Sequence, residues 1–295
     1  MTGTGFSLSI DGVTDLGVRR KNNEDAWWAG QLPGEHRSMQ DSGPPLALAV
    51  GPPAPPVLLL VSDGVGGANA GEVASQMAVN LIAEDLGRRA AEVGTPAAAP
   101  AAILAAFTVA DEAIKSKATE PGFDGMGATI SLLCFLDSTT ACWGQAGDSR
   151  IYVYRHGRLR QITRDHSPVG RLRQEGKITE KQARQHPQRH EIDQSLGDPG
   201  KTFRPDTGFE AIQAGDVYLL CSDGLSDGLW DHEIEQLLGR VRHRADVRPA
   251  AQKLVAGSKA ASGRDNITAV VALVETSEAE GGGPRASFWQ RLLGR

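Results

Sequence analysis

The spacing of apolar positions changes several times along the chain, and each change marks an element. Residues 6–28 open on an alternation of apolar and polar positions, the period of a strand. Residues 57–61 and 217–221 are instead unbroken apolar runs, as in strands buried on both faces, and each runs straight into Ser-Asp-Gly. The octapeptide V-x-L-L-x-S-D-G therefore occurs twice, at 57–64 and 217–224. After the first copy, Val73, Met77, Leu81, Ile82 and Leu86 recur at helical spacing within residues 72–92, and Ile103, Leu104, Phe107 and Ile114 do so on a second helix. From Thr129 to Leu159 the pattern shortens to the β-rich runs ISLLCFL, ACWGQAG and IYVY, which predict antiparallel meander strands with a turn at His156, Gly157 and Arg158. After the second copy come a helix opening at Asp231, another starting at Pro249 and stopped by Gly263, and a last strand, ITAVVALV.

Three stretches lack such a period. Residues 31–56 are rich in Pro and Gly and predict a long surface loop; residues 168–190, rich in Arg, Gln and His, predict a helical excursion or a flap whose position the pattern does not fix. Residues 276–295 begin with Glu, Gly and Pro and predict a flexible tail, although Phe288, Trp289, Leu292 and Leu293 would share a face if its end became helical. The 295 residues, 40% hydrophobic, suffice for one large core. A net charge of −5 and the lack of a basic stripe argue against nucleic acid. Cys134, Cys142 and Cys221 lie in apolar stretches without C-x-x-C spacing, which predicts buried thiols in a reducing compartment. No signal-like N-terminus and no apolar run near the roughly 18 residues of a spanning helix is present, so the expectation is a soluble cytoplasmic protein with no membrane span.

The twin motif puts Asp63 and Asp223 at the ends of two buried strands. Three further acidic sites stand where strands meet loops: Glu24 and Asp25, Asp148 in G-D-S-R, and Asp265 in G-R-D-N. Each alone reads as an ordinary turn residue. Together they suggest one metal-binding edge, because magnesium and manganese are held by several carboxylates and retained waters.

The strings TDLGVRRKNNED (14–25), SDGVGG with GEVAS (62–75), GMGAT (125–129), GDSRIY (147–152), ITRDHS (162–167), LLCSDGLSD (219–227) and GRDNIT (263–268) occur in one order, and together they resemble the bacterial PP2C-type (PPM) metal-dependent protein serine/threonine phosphatases over residues 8–275. The resemblance implies an α+β fold, a four-layer α-β-β-α sandwich of two mostly antiparallel sheets flanked by helices. It implies a phosphatase domain over residues 1–275, ahead of the tail. It also implies that Asp63 bridges two Mn2+ or Mg2+ ions, with the Gly64 carbonyl as a further ligand, and that Asp223 and Asp265 complete the first ion. Glu24 and Asp25 approach the second, which of them more closely being open, and Asp148 serves a possible weaker third. Arg20 stands at the family's phosphate-binding position.

Such a set suits phosphomonoester hydrolysis, because two ions lower the pKa of a shared water and neutralise charge on phosphate, while a guanidinium reads its oxygens in bidentate fashion. The implied catalytic pair is Asp63 with Arg20. One departure stands out: the position two residues after the bridging Asp, a His in many eukaryotic relatives, is Val65 here, which leaves His166, His186 and His190 as candidate proton donors. Hydrolysis of phosphoserine and phosphothreonine in proteins is the leading expectation. A non-catalytic binding module of the same fold and a phosphatase of a small phosphorylated metabolite are the alternatives. The resemblance further implies phosphoprotein substrates, an opposing Hanks-type serine/threonine kinase and a forkhead-associated-domain protein as partners.

Overall fold

Two β-sheets stack face to face, each covered on its outer face by helices. The computed structural model describes residues 5–39, 41, 43–51, 54–66 and 70–276, and the tail expected at 276–295 lies outside the described residues except for Thr276. The strands are β1 (Phe6–Asp15), β2 (Asp25–Gln31), β3 (His36–Ser38), β4 (Leu46–Val50), β5 (Val57–Val65), β6 (Gly127–Ala128), β7 (Ile130–Phe135), β8 (Thr140–Ala146), β9 (Arg150–Arg155), β10 (Arg158–Gln161), β11 (Asp206–Ala211), β12 (Val217–Cys221) and β13 (Ile267–Thr276). The helices are α1 (Ala70–Arg88), α2 (Ala90–Val93), α3 (Ala99–Lys117), α4 (Pro168–Gln174), α5 (Glu180–Arg184), α6 (Asp223–Gly228), α7 (Asp231–Leu238) and α8 (Arg244–Ala261). Among the described residues one sheet runs β10-β9-β12-β13-β1-β4 and the other β11-β8-β7-β5-β2-β3, with β6 added to β5, and every pairing is antiparallel.

Three apolar layers follow from the strand pattern. Leu59, Val61, Tyr218, Leu220 and Val270 point into the space between the sheets, where Trp27 also lies. Their neighbours on the same strands point outward: Leu58 and Leu60 against α1 and α3, Leu219 and Val271 against α7 and α8. A run apolar at every position is thus buried on both faces, as its lack of alternation predicts. Among the described residues no helix is long and apolar enough to cross a membrane, and all three cysteines are free and buried.

Four sequence expectations need correction. The stretch 31–56 is not one loop: β3 and β4 extend opposite sheets at their edges, and Leu46, Leu48 and Val50 are buried on one side of β4. Arg37 pins this region by donating to Asp11 Oδ1 at 3.0 Å and to the Pro44 carbonyl at 2.9 Å. The helix expected over 72–92 breaks at Arg89, just after the weak helix former Gly87, into α1 and α2. The helix expected to start at Pro249 starts at Arg244, because the Asp246 carboxylate caps it by accepting from the backbone N–H of Arg242 and His243, both at 3.0 Å.

The fourth concerns the meander. Strands β7 and β8 belong to one sheet and β9 to the other, so the turn at 147–149 carries the chain across the sandwich. The β1–β2 connection crosses in the same way. Segment 168–190 folds into α4 and α5 and lies over the start of α7, where the Arg184 guanidinium sits 4.1 Å from the Trp230 ring centre and donates to the Asp227 carbonyl at 2.9 Å.

Candidate metal centre

Strands β2 and β5 pair so that Asp25 stands directly opposite Asp63. Asp25 is 1% exposed. Its Oδ2 accepts hydrogen bonds from Ser222 Oγ and Thr268 Oγ1, both at 2.7 Å, while its Oδ1 is buried without a partner among the described residues. Burial, opposed by those two hydroxyl donors, pushes this carboxyl up to about 7. Asp63 is driven well above the usual carboxylate range, first by burial and then by the charges of Asp25, Asp223, Asp148 and Asp265. Its backbone is fixed by Thr129, whose Oγ1 accepts the Asp63 N–H at 2.9 Å and whose N–H donates to the Asp63 carbonyl at 2.8 Å. The Thr129 hydroxyl also bonds Ser149 at 2.7 Å, which ties the 147–149 turn to the end of β5.

Asp223 opens α6, and its Oδ1 is likewise buried and unpartnered among the described residues. Burial first, then Asp148, Asp227, Asp265 and Asp25, raise it well above its ordinary value. Asp148 is pushed up to about 7 by burial and by Asp165, against the pull of Arg150. Arg20 reaches across two of the predicted ligands, with Nη2 2.7 Å from Asp265 and Nη1 3.5 Å from Glu24. Burial raises the Glu24 carboxyl and Arg20 opposes it. A Cβ on Gly71 would lie 2.9 Å from both Glu24 Cδ and the Gly64 carbonyl oxygen, so only glycine leaves that space open.

Arg20, Glu24, Asp63, Gly64, Asp148, Asp223 and Asp265 line a single open cleft of about 560 Å3. Asp25 does not line it and sits beneath, opposite Asp63. These carboxylates come from strand ends and sheet-crossing turns at one end of the sandwich. Asp63 and Asp223 are raised by burial and then by the neighbouring carboxylates, and two buried oxygens of the set, Asp25 Oδ1 and Asp223 Oδ1, lack any donor among the described residues. A floor so crowded with carboxylates fits hard divalent cations held by oxygen ligands.

The structure adds residues that the motif reading passed over. Ser222 and Thr268 orient Asp25. Asn266 laces the cleft wall by accepting the Glu24 N–H at 2.8 Å and donating to the carbonyls of Leu16 and Asn22, both at 3.0 Å. Each of these stands inside a quoted motif, one or a few residues from its Asp, and that was the available signal. Asp227 also lines the cleft, and its carboxylate, that of Asp223 and the His190 ring offer atoms all within 4.8 Å of one another. Of the three candidate histidines, His190 lines the cleft. His166 is engaged elsewhere, with Nε2 3.1 Å from Asp206, and His186 Nδ1 accepts the Gln188 N–H at 3.2 Å. Arg150 of G-D-S-R serves the scaffold: it grips Asp165 through Nε at 3.0 Å and Nη2 at 2.6 Å, at the root of α4.

The family described as protein phosphatase 2C matches residues 40–259. The serine/threonine protein phosphatase PstP of Mycobacterium tuberculosis is 34% identical over 261 residues, 88% of this chain, which spans only 43% of that relative's length. Protein phosphatase PhpP of Streptococcus pneumoniae is 32% identical over 278 residues, 92% of this chain and 98% of the relative. Among solved structures, the catalytic domain of PstP in complex with two manganese ions is similar with a TM-score of 0.68 and 32% identity, covering 92% of this chain and 99% of that one.

Proposed function

This chain belongs to the protein phosphatase 2C family, and from that premise we propose that it hydrolyses phosphoserine and phosphothreonine in proteins, using Mn2+ or Mg2+ ions held at the carboxylate cleft. The observation that carries this reading is the convergence of six acidic residues from five segments on one edge, with two buried carboxylate oxygens left without donors among the described residues. Asp63, Asp223 and Asp265 would hold one cation, and Asp63, the Gly64 carbonyl and Glu24 a second, with Asp25 steadying the set from below. Asp148, beside Asp223 and Asp227, would serve a weaker third. When bound, such ions supply Lewis acidity and a lower pKa for water at neutral pH.

The chain's own groups do the rest. Arg20, held at the cleft by Asp265 and Glu24, has a guanidinium fork that would grip two phosphate oxygens. Thr129 and Ser149 hold Asp63 and the turn carrying Asp148 in fixed relation, so the ligand spacing does not relax. The proposal includes a kinase of the Hanks type and a forkhead-associated-domain protein as partners. It includes a cytoplasmic location, supported by three free buried thiols. It also takes residues 1–275 as the phosphatase domain, with β13 as its last strand and 276–295 as a tail.

Release of phosphate from phosphothreonine peptides, measured against a panel of small phosphoesters with and without manganese, tests the reading. Manganese-dependent turnover of the peptides is expected. Turnover confined to one small ester would select the metabolite alternative, and no turnover with tight phosphopeptide binding would select the non-catalytic module.

A further inference from the structure

The rim of the cleft carries a charge pattern that its acidic floor does not use. Arg19 from the β1–β2 connection, Arg264 from the turn before β13, and Arg189 from the segment after α5 converge on a recess of about 310 Å3. The same three arginines also line the main cleft, so the two spaces are continuous. Arg184, a fourth arginine of the recess, is committed to the Asp227 carbonyl at 2.9 Å and to Glu180 at 3.0 Å. The side chains of Arg19, Arg189 and Arg264 make no hydrogen bond or ion pair among the described residues. In a chain of net charge −5 this is a local reversal of sign.

The backbone builds that convergence. Val18 N–H donates to the Gly263 carbonyl at 2.7 Å. Gly17, at φ +79, lies where a Cβ would come within 2.2 Å of the Asp265 carbonyl oxygen. The Asn266 amide bonds the carbonyls of Leu16 and Asn22. The loop carrying Arg19 and the turn carrying Arg264 are therefore laced into one wall, with Arg189 on the facing segment. Asp227, the carboxylate that also lines the recess, is grouped with His190 and Asp223 within 4.8 Å.

We propose that Arg19, Arg189 and Arg264 form a second anion subsite, and that the preferred substrates are phosphopeptides with a second anionic side chain, phosphorylated or carboxylic, a few residues from the phosphate that is removed. Guanidinium forks suit both anions, and an exposed rim adjoining the acidic floor lets one peptide span the two. This rests on the phosphoprotein phosphatase reading and deepens it into a substrate class.

The manganese-loaded chain is given phosphothreonine peptides of one sequence that carry alanine, glutamate or a non-hydrolysable serine phosphonate two or three residues to either side. The expected kcat/KM, at the best placement, is about tenfold higher for the phosphonate peptide and about threefold higher for glutamate than for alanine, mostly through KM, as befits charge-assisted contacts at an exposed rim. The preference should fade at high salt. Arg19→Gln with Arg264→Gln should bring the ratios near one, and Arg189→Gln should lower them in part. Equal kcat/KM for all peptides in the wild type, or a preference that survives in the double variant, overturns the subsite and leaves the phosphatase reading standing. If no peptide is turned over while p-nitrophenyl phosphate is, the phosphoprotein reading fails and takes the subsite with it.

Discussion

The two copies of V-x-L-L-x-S-D-G end in different structures. In the first, β5 continues through Asp63 and Gly64 to Val65, because Gly64 and Val65 find strand partners in β6. In the second, β12 stops at Cys221 and Asp223 is already the first residue of α6. Both glycines permit close backbone approach, but to different elements: a Cβ on Gly64 would lie 2.0 Å from the Gly71 carbonyl of α1, and a Cβ on Gly224 would lie 2.0 Å from the Asn266 carbonyl before β13. One octapeptide is therefore read as strand or helix entry by what packs on its last residue, while both copies deliver an Asp to the same cleft. Chemistry is shared and scaffolding is not.

The largest expected effect treats the copies as equals. Asp63→Asn and Asp223→Asn should each lower turnover by about a thousandfold or more with the fold retained, since each removes a proposed ligand from the proposed cation set. They should differ in metal content: Asp63→Asn, at the proposed bridging position, loses both tightly held ions, and Asp223→Asn mainly one. Metal analysis of the folded variants checks this, and equal loss of both ions from the two would erase the proposed distinction.

How far such differences were legible depends on what carries them. The double burial of β5 and β12 was readable, because a continuous apolar run states it directly. The α6 entry after Asp223 was not, since the deciding contacts, Gly224 against Asn266 and the Ser258 hydroxyl donating to the Gly224 carbonyl at 2.7 Å, join residues far apart in sequence. The acidic set was recognisable from motif order, and the cleft gathers all of it except Asp25, which lies below. The hydroxyls of Ser222 and Thr268 stayed silent, because nothing local says that a Ser just past β12 and a Thr on β13 will face an Asp on β2. Strand β4 was legible in L-A-L-A-V and was masked by the Pro and Gly around it.

Gly64→Ala and Gly224→Ala come next in size. Each drives a methyl group into a carbonyl oxygen on another element, so a loss of about 2–4 kcal/mol is expected. The first should loosen α1 against β5 and the second the turn before β13, which hydrogen exchange of those segments distinguishes. Denaturant midpoints within error of the wild type would show that the approach is slack.

Chelation exposes what the two carboxylates share. Burial raises Asp25 and Asp148 to about 7 in the folded chain, and burial with the neighbouring carboxylates raises Asp63 and Asp223 in the same direction. A carboxyl raised on folding binds its proton more tightly in the folded state, so stability of the metal-free chain falls as pH rises through roughly 4 to 7. Thermal unfolding in chelator should therefore drop by about 5 °C or more between pH 5 and pH 8, and manganese at pH 8 should restore it. Asp63→Asn and Asp223→Asn should each flatten the profile. A metal-free chain whose melting temperature is level or rises over that range would contradict the uncompensated charge of the cleft.

The smallest effect separates the copies most cleanly, through the Ser before each Asp. Ser62 Oγ donates to the Thr129 carbonyl at 2.6 Å, a neutral bond inside the scaffold. Ser222 Oγ donates to Asp25 Oδ2 and accepts the Thr268 N–H at 3.0 Å, so it links β12, β13 and the acidic floor. Loss of either hydroxyl should cost about 1–2 kcal/mol, because one buried hydrogen bond is removed and its partner left wanting. Only Ser222→Ala also takes away one of the two donors that hold the Asp25 carboxyl down, so only there should the carboxyl climb further and manganese bind more weakly at neutral pH. Manganese titrations of the two variants at pH 6 and pH 8 read this directly. Weakening is expected for Ser222→Ala, greater at pH 6, and none for Ser62→Ala; equal affinities would make Ser222 a scaffold hydroxyl like its counterpart.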